Sequence, residues 1–448
     1  MTAWGDERAL SLLDGALDVN GAAEVELVLT RSDSALTRFA ESVIHQNTAR
    51  IDGEVRVRVV VEGPRVGVVA TNDLTPDGLR RATAAAVEIA RLTPPSTDWP
   101  GVAEPAEYAE AGVHDEATAA CTPAQRADLV ARLLSPLATG VIAAGTVETA
   151  EGELVVVNSR GLRAYHRSTR AAASILASGE DSTGFAESSV GRLDDLDPEA
   201  LGLRVDDKVR IGHHPRDVPA GDYAVVLEPS ATSTLVTWLS WLAFGGKAVH
   251  EGRSVLSGRL GERLCDERVT IVDDPLSPLL PGAPFDFEGV PTRRLPLIEN
   301  GVAVNVVHDR ASAYAAGAES TGHALPAPNP EGPLPLHPMM EPGSAPTADL
   351  IAGCERGIFV TRFHYTNSLH PIETMLTGMT RDGTFLIEDG AIAGGVHNLR
   401  FTQSIVAALN AVEDVGSETE IATDLFFGAG RAPAVRLSSF AFSSTTDF

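Results

Sequence analysis

The chain has 448 residues, of which 44% are hydrophobic and 21% are charged, as expected of a soluble globular protein with two or three domains. Its formal net charge of −26 argues against a nucleic-acid partner, because phosphate binding needs a basic face. No apolar stretch is long enough for a membrane helix, and the first residues lack a signal-peptide pattern. The three cysteines form no Cys-x-x-Cys pair, and we expect a protein of the reducing cytoplasm.

The first 92 residues have the pattern of a small α+β domain. Leucines at helical spacing predict a helix over residues 6–19, and Thr75 followed by Pro76 predicts the start of a second helix that ends at about Leu92. Alternation of apolar and polar residues predicts strands between these helices. The predicted strands are residues 24–30, 34–47, 54–62 and 66–71.

A second α+β segment follows a linker, and we expect it to pack against the N-terminal domain. Residues 93–118 are rich in Pro, Ala and Glu and are typical of a linker, whereas 119–222 contain a helical pattern over 122–137. The charged, turn-rich stretch 192–222 indicates a second boundary. The predicted strands of this segment are residues 141–150, 153–158 and 163–177.

Residues 223–448 predict a larger, mostly β C-terminal domain. Its strands are expected to be short, with helices at about 229–244 and 400–412. The proline-rich run 324–346 excludes regular structure and predicts a long loop. The predicted fold class is therefore α+β, with N-terminal α/β meander-sheet domains followed by the β-rich domain.

Several separate motifs occur in an order that resembles the TldD/PmbA (TldE) family, first described as modulators of DNA gyrase. The resemblance covers roughly residues 22–440, and its clearest part begins Glu-Gly-Arg-Ser-Val-Leu-Ser-Gly at Glu251. It implies a two-subunit metalloprotease that cleaves extended peptides, including leader peptides. The segments that carry it are residues 37–40, 44–47, 251–262, 269–275, 285–294 and 386–390.

The metal-binding residues that the resemblance implies are missing. The family's metal-bearing subunit has His-Glu-x-x-x-His on a helix before the Ser-Val-x-Ser-Gly segment, and a cysteine near the C-terminus. Two imidazoles and a thiolate bind zinc and leave a position for water, whose proton the glutamate takes. A gapless count places the two histidines at Thr237 and Leu242 and the cysteine near Phe427. We therefore expect no cofactor in this chain and zinc in a partner subunit.

Other candidate residues favour metal binding less than peptide contact. His364, His370 and Glu373 lie within ten residues and offer an alternative, relocated metal site, and residues 364 and 370 would share one face of a regular strand. His250 and Glu251 begin a zinc motif that no second histidine completes. The predicted peptide-contacting residues are His250, Glu251, Arg253 and His364.

Three functions remain open at this point. The chain is a non-metal subunit paired with a TldD-like metal-bearing subunit, an active metallopeptidase with a relocated metal, or a homodimeric peptide-binding protein. All three involve an extended peptide, and none involves nucleic acid or a membrane. The segment 234–244 is apolar on nearly every face, which predicts burial within the C-terminal domain and near a dimer interface.

Overall fold

One antiparallel sheet of six strands joins the N-terminal and middle parts of the chain in the computed structural model, which describes residues 3–97, 99–424 and 428–445. The first elements are α1 (Asp6–Asp14), β1 (Glu24–Ala40), β2 (Val43–Val61), β3 (Arg65–Thr71) and α2 (Pro76–Leu92). The next are α3 (Glu116–Ala119), α4 (Pro123–Leu134), β4 (Ile142–Asn158), β5 (Arg163–Ser178), β6 (Thr183–Val190) and α5 (Pro198–Gly212). The spatial order is β3-β2-β1-β4-β5-β6, so β1 and β4 join the two parts.

The long hairpin of β1 and β2 corrects the predicted strand boundaries. The three strands expected over residues 24–62 are two, and the turn between them is at Glu41 and Ser42, which both have positive φ. Polar residues at Arg31–Asp33 suggested a break. The strand continues there because β1 pairs on both sides, and Arg31 is buried against Glu153 at 3.0 Å. The strands predicted at 141–150 and 153–158 are likewise one strand, β4.

Helix starts follow the predicted signals more closely than helix ends do. Thr75 caps α2 by accepting from the amide of Gly78, and Thr122 forms a capping box with Gln125 at the start of α4. In contrast, α1 ends at Asp14, and the charged stretch interpreted as a boundary contains a 15-residue helix, α5.

The C-terminal part contains a second sheet, in which five strands close into a ring. Its first elements are β7 (Gly221–Leu227), α6 (Pro229–Ala243), α7 (Gly246–His250), β8 (Ile271–Asp273), β9 (Leu295–Glu299), β10 (Val302–Ala303) and α8 (Arg310–Ala316). The others are β11 (Pro338–Met340), α9 (Thr347–Ala352), β12 (Arg356–His370), β13 (Met375–Glu388), β14 (Ala391–Gly395), β15 (Leu399–Ser404), α10 (Ile405–Asn410), β16 (Val412–Asp424) and β17 (Gly428–Thr445). The ring β17-β15-β13-β12-β7 closes because β7 pairs with β17 as well as with β12.

The α+β fold class, with a sheet-rich C-terminal domain, is confirmed, but two local predictions in this domain are wrong. Several strands are long, since β12, β13, β16 and β17 have 13 to 18 residues. The helix expected over 400–412 is only α10, because residues 399–404 pair as a strand with β13 and β17. The proline-rich run 324–346 is a loop except for β11, a three-residue strand.

Helix α6 lies at the centre of the C-terminal core. Leu235, Val236 and Leu239 on this helix are fully buried and belong to the large hydrophobic cluster that includes the ring strands. In the part of the chain that the structure describes, no helix combines the length and the apolar character that crossing a membrane would require.

Candidate functional site

A cavity of about 380 Å³ lies where the middle part of the chain meets the C-terminal domain. One wall comes from β6, and the others come from α6, β12 and β16. The lining residues are Phe185, Glu187, Ser230, Ser233, Thr234, Thr237, Arg362, Phe363, His364, Tyr365, Thr366, Ala422 and Thr423. No single sequence segment builds this site, because its lining residues run from Phe185 to Thr423 along the chain.

A stripe of hydroxyl groups on α6 faces the cavity. Ser230, Ser233, Thr234 and Thr237 have the i, i+3, i+4, i+7 spacing that places side chains on one helix face. The prediction that segment 234–244 is apolar on nearly every face therefore needs correction, because Thr234 and Thr237 line a cavity. The Ser/Thr spacing was present in the sequence and would have identified this face.

Helix α6, on which the sequence placed the degenerate metal-motif positions, lies against the last strand, β17. A Cβ on Gly430 of β17 would lie 2.5 Å from the Thr237 hydroxyl and 2.8 Å from that of Ser233. Helix α6 and strand β17 are therefore in close contact at this point. Phe427, the third position, lies outside the described residues.

The two helix positions, Thr237 and Leu242, do not fit zinc. Zinc takes cysteine sulfur, histidine nitrogen or carboxylate oxygen, whereas Thr237 offers a hydroxyl and Leu242 packs in the hydrophobic core. Within residues 3–97, 99–424 and 428–445, no three His, Cys, Asp or Glu side chains are grouped so that they would hold a metal ion.

The relocated set of His364, His370 and Glu373 is not brought together. His364 lines the cavity, whereas His370 and Glu373 are exposed near the far end of the β12–β13 hairpin. Irregular pairing after His364 and again after Ser368 interrupts the strand, so the two histidines do not follow regular alternation. Burial and the nearby Arg381 and Arg362 lower the pKa of His364, so it is neutral near pH 7.

The other predicted peptide-contacting residues lie outside the cavity lining. His250 ends α7, and Glu251 and Arg253 follow in an exposed turn where they pair with each other at 2.7 Å. Of the four candidates, only His364 contributes to the cavity. Peptide contact by His250, Glu251 and Arg253 stays a prediction, and among the described residues these three do not share the cavity with His364.

Glu187 on β6 is the carboxylate that sequence reasoning missed. It accepts a long hydrogen bond of 3.4 Å from the Thr423 amide, and burial raises its pKa to about 7 despite the opposing field of Arg362. No motif marks this residue, and it lies 43 positions before Ser230. Only the docking of the middle part onto the C-terminal domain identifies it.

Arg362 faces the same cavity, but its guanidinium already has partners within the protein. Its Nε donates to Asp382 at 2.8 Å, and its Nη2 donates to the same carboxylate. The guanidinium lies 3.9 Å from the centre of the Phe185 ring. This ion pair and cation–π contact hold Arg362 flat against the wall. The buried hydroxyl of Thr366, another lining residue, has no hydrogen-bond partner among the described residues.

Comparison with known proteins identifies the family. Three family models match, described as PmbA/TldA metallopeptidase domain 1 (residues 25–90), the central domain (113–211) and the C-terminal domain (220–444). The chain belongs to the PmbA/TldD metallopeptidase family.

Curated relatives of this family share moderate identity with the chain. A metalloprotease of Methanothermobacter thermautotrophicus is 28% identical over 60% of this chain and 61% of its own length. The metalloprotease PmbA of Escherichia coli O157:H7 is 28% identical over 70% of this chain and 71% of its own length. The chain thus matches less than two thirds of the first of these relatives.

Solved structures of the family have the same fold along nearly the whole chain. TldE from Thermococcus kodakarensis superposes with a TM-score of 0.86 at 22% identity, covering 98% of this chain and 99% of that one. A putative modulator of a DNA gyrase from Thermotoga maritima gives 0.82 at 21% identity, with 98% and 99% coverage. At this identity the likeness concerns the fold alone.

Two motifs that carry the PmbA/TldD resemblance are structural in this chain. Ser254 donates from its hydroxyl to the carbonyl of Ala243 at 2.6 Å and accepts from the amide of Leu256, which fixes the exit from α6. Asp286 accepts from the amides of Glu288, Val290 and Ala324, which holds a tight loop. Both motifs order loops and contribute no residue to the cavity lining.

Proposed function

We propose that this chain is the peptide-holding, metal-free subunit of a cytoplasmic TldD/TldE-type metalloprotease. The observation that carries the proposal is the cavity beside α6. At the place where the family's metal helix would present histidines, this chain presents Ser233, Thr234 and Thr237. Hydroxyl groups of this kind donate to and accept from peptide amides, but they do not bind zinc.

An unpaired strand edge supports binding of an extended peptide at this wall. β12 pairs with β7 only over Gly357–Val360, and in the described part of the chain no strand pairs with that edge from residue 361 onward. Residues 362–366 of this edge line the cavity. A peptide that adds as a strand here would gain backbone hydrogen bonds and place alternate side chains in the cavity.

The catalytic group belongs, in this proposal, to a metal-bearing partner subunit. Zinc there would supply the activated water, and this chain would supply walls and a strand edge. Exposed apolar side chains on the β12–β13 hairpin support a partner contact next to the cavity, since large apolar groups in one patch mark interaction surfaces. These are Tyr365, Leu369 and Ile372, which are 72%, 56% and 48% exposed.

Peptide cleavage by reconstituted subunits tests the proposal. The chain alone should cleave no peptide, and addition of a His-Glu-x-x-x-His relative should give chelator-sensitive cleavage of an unfolded polypeptide. Thr234→Trp, which fills the cavity, should reduce that cleavage at least tenfold. Ser11→Trp, on the exposed face of α1, is the matched control and should leave it unchanged.

Two results would contradict the proposal, and a third would separate it from the homodimer alternative. Chelator-sensitive proteolysis by the chain alone would show that it holds its own metal. One zinc per chain, abolished by His364→Ala or His370→Ala, would favour the relocated site. A mass of 47.0 kDa by light scattering at micromolar concentration, with the fold intact, would exclude self-association of the isolated chain and leave only the heterodimer.

A further inference from the structure

The carboxylates at the junction between the middle part and the C-terminal domain are paired with cations, with Glu187 as the exception. Glu228 accepts from Lys208 at 2.6 Å and from Arg204 at 3.1 Å, and Glu420 accepts from Arg204 at 2.8 Å. Asp382 forms an ion pair with Arg362. Among the described residues, Glu187 forms no ion pair, although Arg362 lies near enough to influence its pKa.

The carboxylate of Glu187 borders the open space of the cavity. Glu187 lies on the β6 wall, and the groups that hydrogen-bond to it are neutral: the Thr423 amide at 3.4 Å and the Ser230 hydroxyl. A half-buried, ionised carboxylate without a counter-ion is costly, and that cost falls when a cation enters. The cavity therefore favours a positively charged group near Glu187.

The rest of the lining suits an ammonium group on an aliphatic stem. Phe185, Phe363 and Tyr365 supply aromatic surface on which methylene groups pack. Arg362 does not repel such a guest strongly, because Asp382 neutralises its charge.

We propose that the cavity binds a primary ammonium group of a peptide, with the Glu187 carboxylate as its counter-ion. The group is a lysine side chain or the N-terminal ammonium of an extended peptide, since both present the same three donors. This inference rests on the proposed peptide-holding role and adds to it a chemical preference. Glu187 would act as a specificity-determining residue.

Binding of fluorescent peptides to the full chain tests the preference. Four dye-labelled Ala/Gly peptides of equal length are compared by anisotropy: one with a single lysine and an acetylated N-terminus, one with a free N-terminus and no lysine, and one with norleucine in place of lysine. The fourth carries both cationic groups. The cationic peptides should bind at least tenfold more tightly than the norleucine peptide, and the arm that binds identifies the source of the ammonium group.

Variants separate the carboxylate from a general effect on the fold. Glu187→Gln should abolish the difference between cationic and neutral peptides and leave the norleucine peptide unaffected. Glu180→Gln, an exposed acid just before β6, should change nothing. For wild type, affinity for the acetylated lysine peptide should increase as pH rises through about 7, because the carboxylate ionises over this range while the lysine stays charged. Arg362, Glu420 and His364 are the charged and titratable groups that face Glu187.

The outcomes distinguish the ammonium preference from the proposed peptide-holding function on which it rests. Equal binding of all peptides, or an equal loss for all of them in Glu187→Gln, would overturn the ammonium preference while the peptide-holding role stands. No binding of any peptide would overturn both.

Discussion

Two junctions between the N-terminal sheet and the C-terminal domain bury charge in different ways. At one, Arg58 lies between Glu26 at 2.6 Å and Glu288 at 3.0 Å, and its guanidinium stacks on Trp99. At the other, Glu187 faces a cavity without an ion pair among the described residues. Burial raises the pKa of Glu26 and of Glu187 to about 7 alike. The difference teaches that a carboxylate with a raised pKa indicates a ligand site only where it also borders a cavity.

The closed junction should be the more sensitive of the two. Arg58→Met leaves Glu26 and Glu288 buried without their shared cation, and we expect a loss of about 3–5 kcal/mol in the free energy of unfolding, measured by urea denaturation. Arg50→Met is the control, because the Arg50 side chain is 75% exposed, and it should cost less than about 0.5 kcal/mol. Equal effects of the two variants would show that the closed junction does not stabilise the fold.

The closed junction should also depend on pH, with a definite sign. The folded-state pKa of Glu26 is raised from 4.5 to about 7, so its contribution to stability is complete below about pH 4.5 and is lost as pH rises through 7. Arg58, Glu288 and Arg310 are the charged groups that face it. Between pH 5 and 8, wild type should therefore lose on the order of 2 kcal/mol relative to Glu26→Gln. Parallel stability curves for the two proteins would contradict this.

The wall of the open junction should tolerate little extra volume where α6 meets β17. A methyl group on Gly430 would overlap the hydroxyls of Thr237 and Ser233, so Gly430→Ala should destabilise by about 1 kcal/mol. Thr237→Ala in the same chain should recover part of that loss. Gly152→Ala is the matched control, since the nearest atoms to its new methyl would be 3.9 Å away. A neutral Gly430→Ala in thermal unfolding would mean that this contact is loose.

Glu187→Gln should have the smallest effect on stability. The carboxylate has no ion pair to lose in the described residues, and its amide isostere retains the contacts to Thr423 and Ser230. At pH 5, where the folded-state carboxyl is protonated because its pKa is raised to about 7, we expect a change of less than about 0.5 kcal/mol in urea denaturation. A loss as large as that of Arg58→Met would place Glu187 among the structural residues rather than at a binding site.

Local signals in the sequence predicted the fold class and the helix starts well. Thr75 and Thr122 cap helices as expected, since a cap depends on residues only three positions apart. Strand breaks were predicted poorly, because the polar residues at 31–33 remain paired through neighbours that are distant in sequence. Helix α5 was missed because Arg204 and Lys208 look solvent-exposed in sequence but are buried in ion pairs.

The candidate site was predictable only in part. The motif count located α6, and its contact with the last strand follows from the family arrangement. The hydroxyl stripe was readable from spacing alone, whereas Glu187 and Arg362 meet across 175 positions and carry no motif. Tertiary docking, rather than any local pattern, brings these two residues to one cavity.

The cavity is formed by two parts of the chain that are distant in sequence, and this affects how the family can diversify. Strand β6 contributes Glu187 and Phe185, whereas the hydroxyl stripe comes from α6 beyond the boundary near residue 220. A chimera that exchanges the first 212 residues between relatives would inherit its charge selectivity from one parent and its backbone-binding wall from the other. The residues of β6 that line the cavity can therefore vary while those of α6 stay unchanged.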